Sequence, residues 1–465
     1  MPDLIAMGGL NTSLLIGVQG LEAAQGALSA TSNNISNANT PGYTREVVDF
    51  SENQINDSGN TVSGGGVSLD NLQSVRDELL NLQIQNQTSL QSSVNTQSSS
   101  LQQIQSYFTT NGDDIASALT AFSTSLTQLS ANSSDSATQQ NVLVSGQNLA
   151  QAFNTTAQGL TSAQSEADGQ VSQTVAQINS LTAQIAQLNG QVSQLTAAGQ
   201  DGGTVQDQRD ELVQQLSTLT GISVTQSDGG ETITTGNGTP LVMGSQSFSL
   251  QTTTGSNGMQ QVLDSNGNNI TSSIQGGQLG GAIQIRDSVV PGLLSQLNTL
   301  ASQFATAFNA AQAQGYDSNG NVGQNFFTVP SGSTGAAAGI SVAITDPSLI
   351  AVSSDGSTGS NGNVANLSAA LTTALPSGQT AAGAYANMVF QVGSDTSNAS
   401  TQSTAIGQNL LQLTNQQGSI SGVSIDEETT NLIRFQTAYE AAARIVSTIQ
   451  ALNTVTLDMG STQSY

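Results

Sequence analysis

Apolar residues recur at alternating steps of three and four near both ends of this chain. The N-terminal series consists of Met7, Leu10, Leu14, Gly17, Leu21, Ala24, Leu28, Thr31 and Ile35. The C-terminal series consists of Leu432, Phe435, Tyr439, Ala442, Val446, Ile449 and Leu452. Such spacing is typical of a helix that packs along a heptad seam. Because chain ends usually fray, two well-patterned ends constrain the fold strongly.

Neither apolar seam can be buried by its own helix, so each needs a partner. That partner is either the other seam or a neighbouring copy of the chain. Seams at both ends indicate assembly, and an ordinary antiparallel helical pair inside one domain is the open alternative. The first helix should end near Asn37, because Pro41 and Gly42 forbid its continuation. Ser424 and Glu427 have the spacing of a capping box that starts the last helix.

The chain between the seams changes its pattern twice. Residues 44–69 look extended, with a turn at Gly64, Gly65 and Gly66. A long helical segment then opens with Leu72, Val75, Leu79 and Leu82. From Gly221 to about Gly281, short β-type runs alternate with glycine-rich turns. The fold class predicted is mainly α with a β-rich insert and paired, coiled-coil-like terminal helices. The predicted domains are a terminal helical domain (1–50 with 420–465), a helical intermediate domain (51–219 with 283–419) and one outer β domain (220–282).

Composition excludes most kinds of catalysis. The 465 residues include 31 acidic and 6 basic side chains, a net charge of −25, and every basic residue is an arginine. Without histidine, cysteine or lysine, most general bases, thiolate nucleophiles, Schiff bases and zinc sites are unavailable. We therefore expect that the protein is not an enzyme and that it binds no cofactor and no metal. Few cations on an acidic chain also argue against nucleic-acid binding.

Neither a membrane-spanning segment nor a secretory signal peptide is expected from the sequence. No apolar run reaches the 18 residues that a membrane span needs, so membrane insertion is not expected. No basic residue precedes Arg45, which argues against a cleaved secretory signal peptide.

Two short motifs have the opening spacing of a calcium loop but lack its later ligands. Asp317, Asn319 and Asn321 are followed by Val322 and Thr328 where glycine and glutamate belong. A second motif, which begins at Asp264, fails similarly. Turns are the favoured interpretation of both.

An acidic cluster surrounds Arg209. Asp207, Asp210 and Glu211 could suggest carboxylate catalysis or a metal site. However, they open a helix whose apolar seam includes position 209. An inward arginine paired with a carboxylate is the favoured interpretation.

The segment Ser32–Tyr43, SNNISNANTPGY, resembles the N-terminal signature of the axial proteins of the bacterial flagellum. Its motif positions are Asn34, Asn37, Pro41, Gly42 and Tyr43. Further stretches sharpen the resemblance; they are Asp207–Val213, Gly276–Asp287, Phe308–Gly320 and Ser421–Tyr439. In this order they resemble the hook-associated protein 1 family, the first hook–filament junction proteins.

This resemblance implies a function and a set of partners. The terminal helices would line a tube, and the protein would leave the cell through the flagellar type III apparatus to the hook–filament junction. Its partners would be copies of itself in a ring, the flagellar hook protein, the next junction protein and an export chaperone at the C-terminal helix. The stretch Asp317–Ser360 is short, so a second outer β domain found in some relatives should be missing. Residues before Gly8 look like an extension, which makes Met7 as well as Met1 a candidate start.

The favoured function is a non-enzymatic structural adaptor between hook and filament. Another axial protein, of hook or distal rod, is the first alternative. A secreted carboxylate-dependent hydrolase and an adhesin are weaker ones. The predicted assembly interface consists of Leu10, Leu14, Leu21, Leu28, Ile35, Leu432, Phe435, Tyr439, Val446, Ile449 and Leu452.

Overall fold

The computed structural model describes residues 2–55, 63–109, 114–200, 202–227, 230–330 and 335–461. Met1 and the side chain of Met7 lie outside the described residues. The helices are α1 (Pro2–Asn37), α2 (Glu78–Phe108), α3 (Ile115–Ala131), α4 (Ser136–Ala197), α5 (Gly203–Leu219), α6 (Gly277–Gln284), α7 (Val290–Gln312), α8 (Ala336–Gly339), α9 (Val364–Thr372), α10 (Ala381–Ser421) and α11 (Ile425–Ser461). The strands are β1 (Glu46–Ile55), β2 (Ser63–Ser74), β3 (Ile222–Ser227), β4 (Gly230–Thr235), β5 (Pro240–Met243), β6 (Gln246–Ser247), β7 (Gln251–Thr254), β8 (Gln260–Leu263), β9 (Phe327–Thr328) and β10 (Ser341–Val342).

The first and last helices pack against each other in opposite directions. Gly17 of α1 lies beside Val446 of α11, and Gly20 lies beside Ala442. The first helix ends at Asn37, where the Pro41 and Gly42 signal predicted its end. The two heptad seams therefore find each other within one chain, which is the antiparallel alternative.

The segment after α1 forms an antiparallel hairpin, β1 with β2, that packs on α1. The prediction of a turn at Gly64–Gly66 is wrong, because these glycines lie within β2. A Cβ added at Gly66 would lie 2.8 Å from the Gln19 Oε1 atom and 3.3 Å from the Ile16 Cα atom. Glycine thus lets the strand pass close to the helix.

The long helices α2 and α10 run antiparallel beside each other. Gln417 contacts Asn81 at one end, and Tyr385 donates its hydroxyl to the Phe108 carbonyl at the other, over 2.8 Å. The prediction that Leu72 and Val75 open this helix is wrong. Leu72 pairs with β1, and α2 begins after Asp77, whose side chain accepts a hydrogen bond from the Leu80 N–H.

The first hydrophobic core lies among α2, α3, α4, α7, α9 and α10. Its centre is a group of fully buried phenylalanine rings, with the closest centroids 4.8 Å apart. Those rings belong to Phe122, Phe304, Phe308, Phe326 and Phe327. Edge-to-face rings at such separations stabilise a core beyond their buried area.

A second hydrophobic core joins the C-terminal half of α4 to α5, α6 and the central strands. The sheet has the antiparallel order β3-β4-β5-β6, and β7 and β8 form a separate hairpin. In β4 alternate residues are buried, with Ile233 fully enclosed. The β-rich insert predicted from Gly221 is thus present, and it shares its core with the helices on which it packs.

Candidate assembly site

Small residues line the contact between α1 and α11, which we call the terminal pair. Ala24 and Ala27, seven residues after Gly17 and Gly20 on the same face of α1, are at least 95% buried. A Cβ added at Gly17 would lie 3.0 Å from the Val446 Cγ2 atom. Small side chains along one helix face let the partner helix approach closely, which increases the number of packed atoms.

The predicted seam residues occupy this contact to different extents. Ile449 is buried, whereas Leu452 is 51% exposed and lies on the face of α11 turned away from α1. The remaining members are half-buried; they are Leu10, Leu14, Leu21, Leu28, Ile35, Leu432, Phe435, Tyr439 and Val446. The Phe435 ring lies 6.1 Å from the Phe50 ring of β1. The hairpin therefore also covers part of the seam.

Asn34 connects three parts of the terminal region. Its Oδ1 atom accepts hydrogen bonds from the Glu46 N–H at 2.9 Å and from the Tyr43 hydroxyl at 2.8 Å. Its Nδ2 atom donates to the Glu46 carbonyl at 2.8 Å and to the Glu428 carboxylate at 3.2 Å. The side chain is 99% buried. Because a buried amide needs all its partners, asparagine here fixes the turn and the start of α11 together.

The other motif positions shape the turn itself. Asn37 donates to the Asn33 carbonyl at 3.1 Å and accepts from the Thr40 hydroxyl at 3.2 Å. Gly42 has a φ of +78°, a conformation that side chains other than glycine rarely adopt. The motif therefore ends α1 and redirects the chain into β1.

Arg45 joins the turn to the connection between α10 and α11. Its guanidinium lies 2.9 Å from the Glu427 carboxylate and 3.6 Å from that of Glu428. The backbone N–H of Arg45 donates to the Ser421 carbonyl at 2.9 Å. Glu427, predicted as part of a capping box, thus faces this arginine. The pairing fixes the entry of the last helix relative to the first.

The terminal region is held to α5 by the acidic segment that sequence reasoning singled out. The Thr44 N–H donates to Asp207 at 3.0 Å. Arg76 pairs with Asp207 at 2.6 Å and with Asp210, and donates to the Gly203 carbonyl at 2.9 Å. Burial raises the pKa of Asp207 above its ordinary value, against the hydrogen bond from Thr44 and the charge of Arg76. These carboxylates hold elements together.

The prediction that Arg209 points inward to a carboxylate is confirmed. Its guanidinium lies 2.9 Å from Asp210 and 2.8 Å from Glu231 of β4. Burial raises the pKa of Glu231 to about 7, although Arg209 opposes this shift. Sequence reasoning missed Arg76 and Glu231, because both come from elements far along the chain. No local sequence pattern pointed to either residue.

The glycine-rich stretch that ends at Asp287 is also a packing element. A Cβ added at Gly277 would lie 2.2 Å from the Thr220 backbone N, and one at Gly281 would lie 2.6 Å from the Ser93 carbonyl oxygen. Arg286 follows; it is 98% buried and pairs with Asp168 of α4 at 2.8 Å. The stretch thus brings α2, α4 and α5 close to one another.

The calcium-like motifs are turns. Asp317 accepts the backbone N–H groups of Asn319 and Asn321 at 2.8 and 2.9 Å, and Asp264 does the same for residues 266 and 268. No three His, Cys, Asp or Glu side chains of the described residues are grouped so as to hold a metal ion. Within the same ranges, no helix has the length and apolar character required to cross a membrane.

Family models define the class of the protein. Residues 14–44, which include the asparagine motif, match the model described as flagella basal body rod protein, and residues 416–459 match that of the flagellar basal body rod FlgEFG protein C-terminal region. The two ends that form the terminal pair are thus those of a flagellar axial protein. Residues 101–327 match the helical domain of the flagellar hook-associated protein FlgK.

Whole-chain similarity specifies the family. Flagellar hook-associated protein 1 of Bacillus subtilis is 31% identical over 94% of this chain and 96% of its own length. The Escherichia coli protein of that name is 29% identical over 94% and 97%. The structure of the flagellar hook junction protein FlgK from Burkholderia pseudomallei has the same fold, with a TM-score of 0.66 and 20% identity over 73% of this chain and all of that one. This chain belongs to the flagellar hook-associated protein 1 family, as the sequence resemblance predicted.

Proposed function

We propose that this protein is a structural adaptor that joins the flagellar hook to the filament, assembled as a ring of copies at the hook tip. The observation that carries this proposal is the terminal pair. Its two helices are the parts of the chain similar to flagellar rod proteins, and the Asn34 and Arg45 contacts fix them into one unit. Similarity to proteins named flagellar hook-associated protein 1 supports placing that unit at the hook.

The finer architecture belongs to this proposal. We assign the terminal helices, paired in a coiled-coil-like way, to a terminal domain (1–50 with 420–465), and the rest to an intermediate domain (51–219 with 283–419) and an outer β domain (220–282). The boundary at residue 50 falls inside β1, which packs on α1. The second hydrophobic core includes the C-terminal half of α4 and part of α5 as well as the strands, so a division by core would place these helix segments with the outer β domain.

The proposal also includes the route and the partners. The protein would pass through the flagellar type III apparatus and would contact the hook protein on one side and the next junction protein on the other. An export chaperone would cover the C-terminal helix, since Ile433, Leu452 and Val455 are all more than half exposed there. Catalysis has no part in this function, because the buried carboxylates are engaged in ion pairs and hydrogen bonds that hold the fold together.

A hook or distal-rod protein is the alternative favoured by one observation, the rod-type similarity of both ends. The similarity of residues 101–327 to a hook-associated helical domain supports the junction instead.

Electron microscopy of flagella from a strain lacking this gene tests the proposal. We expect complete hooks without filaments, and filaments restored by the wild-type gene. Leu21→Asp should fail to restore them, because a charge placed in the terminal pair must be desolvated. Gln128→Asp, at an exposed position of α3 outside the terminal pair, is the control. Filaments on hooks of the deletion strain would contradict the proposal, and absence of hooks would favour the distal-rod alternative.

A further inference from the structure

Each helix of the terminal pair carries a second regular stripe, on the face turned away from its partner. On α1 this outer stripe consists of Asn11, Leu15, Val18, Glu22, Gln25 and Ser29, all exposed. On α11 the outer stripe consists of Ile433, Thr437, Ala441, Arg444, Thr448, Leu452 and Val455, all exposed. Steps of three and four keep each set on one helix face. Each therefore forms a continuous surface with apolar members.

Each outer stripe carries one charged residue, Glu22 on α1 and Arg444 on α11, and Glu440 lies beside the latter. Glu22 is the one charged residue between positions 9 and 37. Of the six arginines, Arg45, Arg76, Arg209 and Arg286 form ion pairs in the described chain. A fifth, Arg434, lies over the Phe435 ring, 4.7 Å from its centroid. Arg444 has no ion pair among the described residues, including with Glu440 four positions away. On a chain of net charge −25, a free arginine is a rare feature.

We propose that the outer stripe of α1 in one copy docks on the outer stripe of α11 in the next copy, with Glu22 paired with Arg444. This inference rests on the proposed function and specifies the contact between copies. The occupant is a second copy because it supplies both the complementary charge and the complementary spacing. The two faces belong to different helices, so copies associate head to tail, which generates rings or helical arrays and not closed dimers.

Spacing supports this pairing along the whole stripe. Copies that point the same way in a ring place α1 of one antiparallel to α11 of the next. If Glu22 faces Arg444, then Val18 faces Thr448, and Leu15 faces the turn that carries Leu452. Both apolar patches are then covered: Leu15 is 50% and Leu452 51% exposed in the single chain. Burial of such side chains stabilises association.

The pairing also predicts an offset between neighbouring copies. Within one chain, Gly20 faces Ala442 and Asn34 contacts Glu428, so the paired residue numbers sum to 462. Between copies, the residue numbers of the proposed pair, Glu22 and Arg444, sum to 466. The difference of four residues corresponds to an axial shift of about 6 Å at 1.5 Å per residue. Neighbouring terminal pairs would therefore be displaced by about one helical turn, as in a helical array.

Disulfide formation in assembled flagella tests the contact, since the chain has no cysteine of its own. The deletion strain would express Glu22→Cys with Arg444→Cys, and purified flagella would be oxidised and run on a non-reducing gel. We expect a ladder of linked copies that collapses on reduction. The matched control is Glu22→Cys with Gln450→Cys, which is exposed but lies about 120° around α11 from position 444. It should give no ladder.

Charge reversal gives an independent measurement. Glu22→Arg and Arg444→Glu should each reduce motility, and the two together should restore it. Two results would overturn the inference and leave the junction function unaffected. The cysteine variant could form filaments without any disulfide-linked copies, or the double charge reversal could restore no more motility than either single reversal. If Arg444→Glu weakened binding of the cognate export chaperone and the cysteine pair gave no ladder in flagella, Arg444 would belong to the chaperone contact, and the inference would be overturned. Wild-type protein absent from purified flagella would contradict the proposed function itself.

Discussion

Individual buried polar residues, more than surface charges, determine how the elements of this protein are joined. Glu231 is the clearest case. Its side chain is enclosed, it faces Arg209 at 2.8 Å, and its Oε2 atom has no hydrogen-bond partner in the described chain. Because burial raises its pKa from the ordinary 4.5 to about 7, the folded protein binds more protons than the unfolded chain between these values.

Stability should therefore fall as pH rises from about 4.5 through about 7. We expect Glu231→Gln to remove most of this slope, with a difference on the order of 2 kcal/mol between pH 5 and pH 8. Urea unfolding at both pH values measures it. Glu440→Gln, at an exposed position, should leave the slope unchanged. An equal slope in the Glu231→Gln variant would show that other groups cause the dependence.

Asn34→Ala should destabilise the terminal region by about 1–3 kcal/mol, since it leaves buried partners without hydrogen bonds. Those partners are the backbone of Glu46 and the carboxylate of Glu428. Hydrogen exchange should become faster in α1 and β1 but not in the phenylalanine core. Asn39→Ala, in the exposed part of the turn, is the control. Unchanged exchange in α1 would contradict the role given to Asn34.

Sequence reasoning at this scale succeeded where a pattern was local. The helical seam predicted that Arg209 points inward, and the structure places it there. Neither Glu231, which pairs with Arg209, nor Arg76, which pairs with Asp207 and Asp210, could be predicted, because no local period relates them to α5. The asparagine motif was recognised from its resemblance, and its physical role depends on contacts with Glu46 and Glu428.

At the scale of elements, heptad spacing was the most reliable signal. It predicted α1 and α11, because 3.6-residue periodicity over many turns leaves few alternatives. It failed at Leu72, where pairing with β1 prevailed over an apolar spacing that fits a helix equally well, and at Val75, whose N–H donates to the Arg45 carbonyl. The prediction of a turn at the glycines of β2 is wrong for a related reason. These glycines let the strand approach α1 closely, and no local sequence pattern indicates such a contact.

The terminal pair gives a test of element packing. Gly17→Leu should separate α1 from α11, because its Cβ would already lie 3.0 Å from Val446. Gly9→Leu, with nothing within 4 Å of an added Cβ, should be neutral or slightly stabilising, since both changes raise helix propensity equally. We expect faster amide exchange in α11 only for the first variant. The same exchange in both variants would show that close packing at Gly17 is unimportant.

At the scale of the whole molecule, one helix connects the two cores. The 62 residues of α4 contribute their first half to the phenylalanine core and their second half to the core beneath the strands. Sequence patterning predicted a β-rich insert in a helical chain. It could not predict that the insert shares a core with α4, α5 and α6, because such packing joins segments that are distant in sequence.

We propose that a ring of copies joins hook to filament, with the terminal pair lining its inner wall as the family resemblance implies. A cryo-electron microscopy reconstruction of the native hook–filament junction tests this most directly. We predict density for α1 and α11 on the inner surface, with neighbouring pairs in contact and strands β3–β8 turned outward. Terminal pairs at the outer surface, or separated from their neighbours by the helical body, would contradict the account.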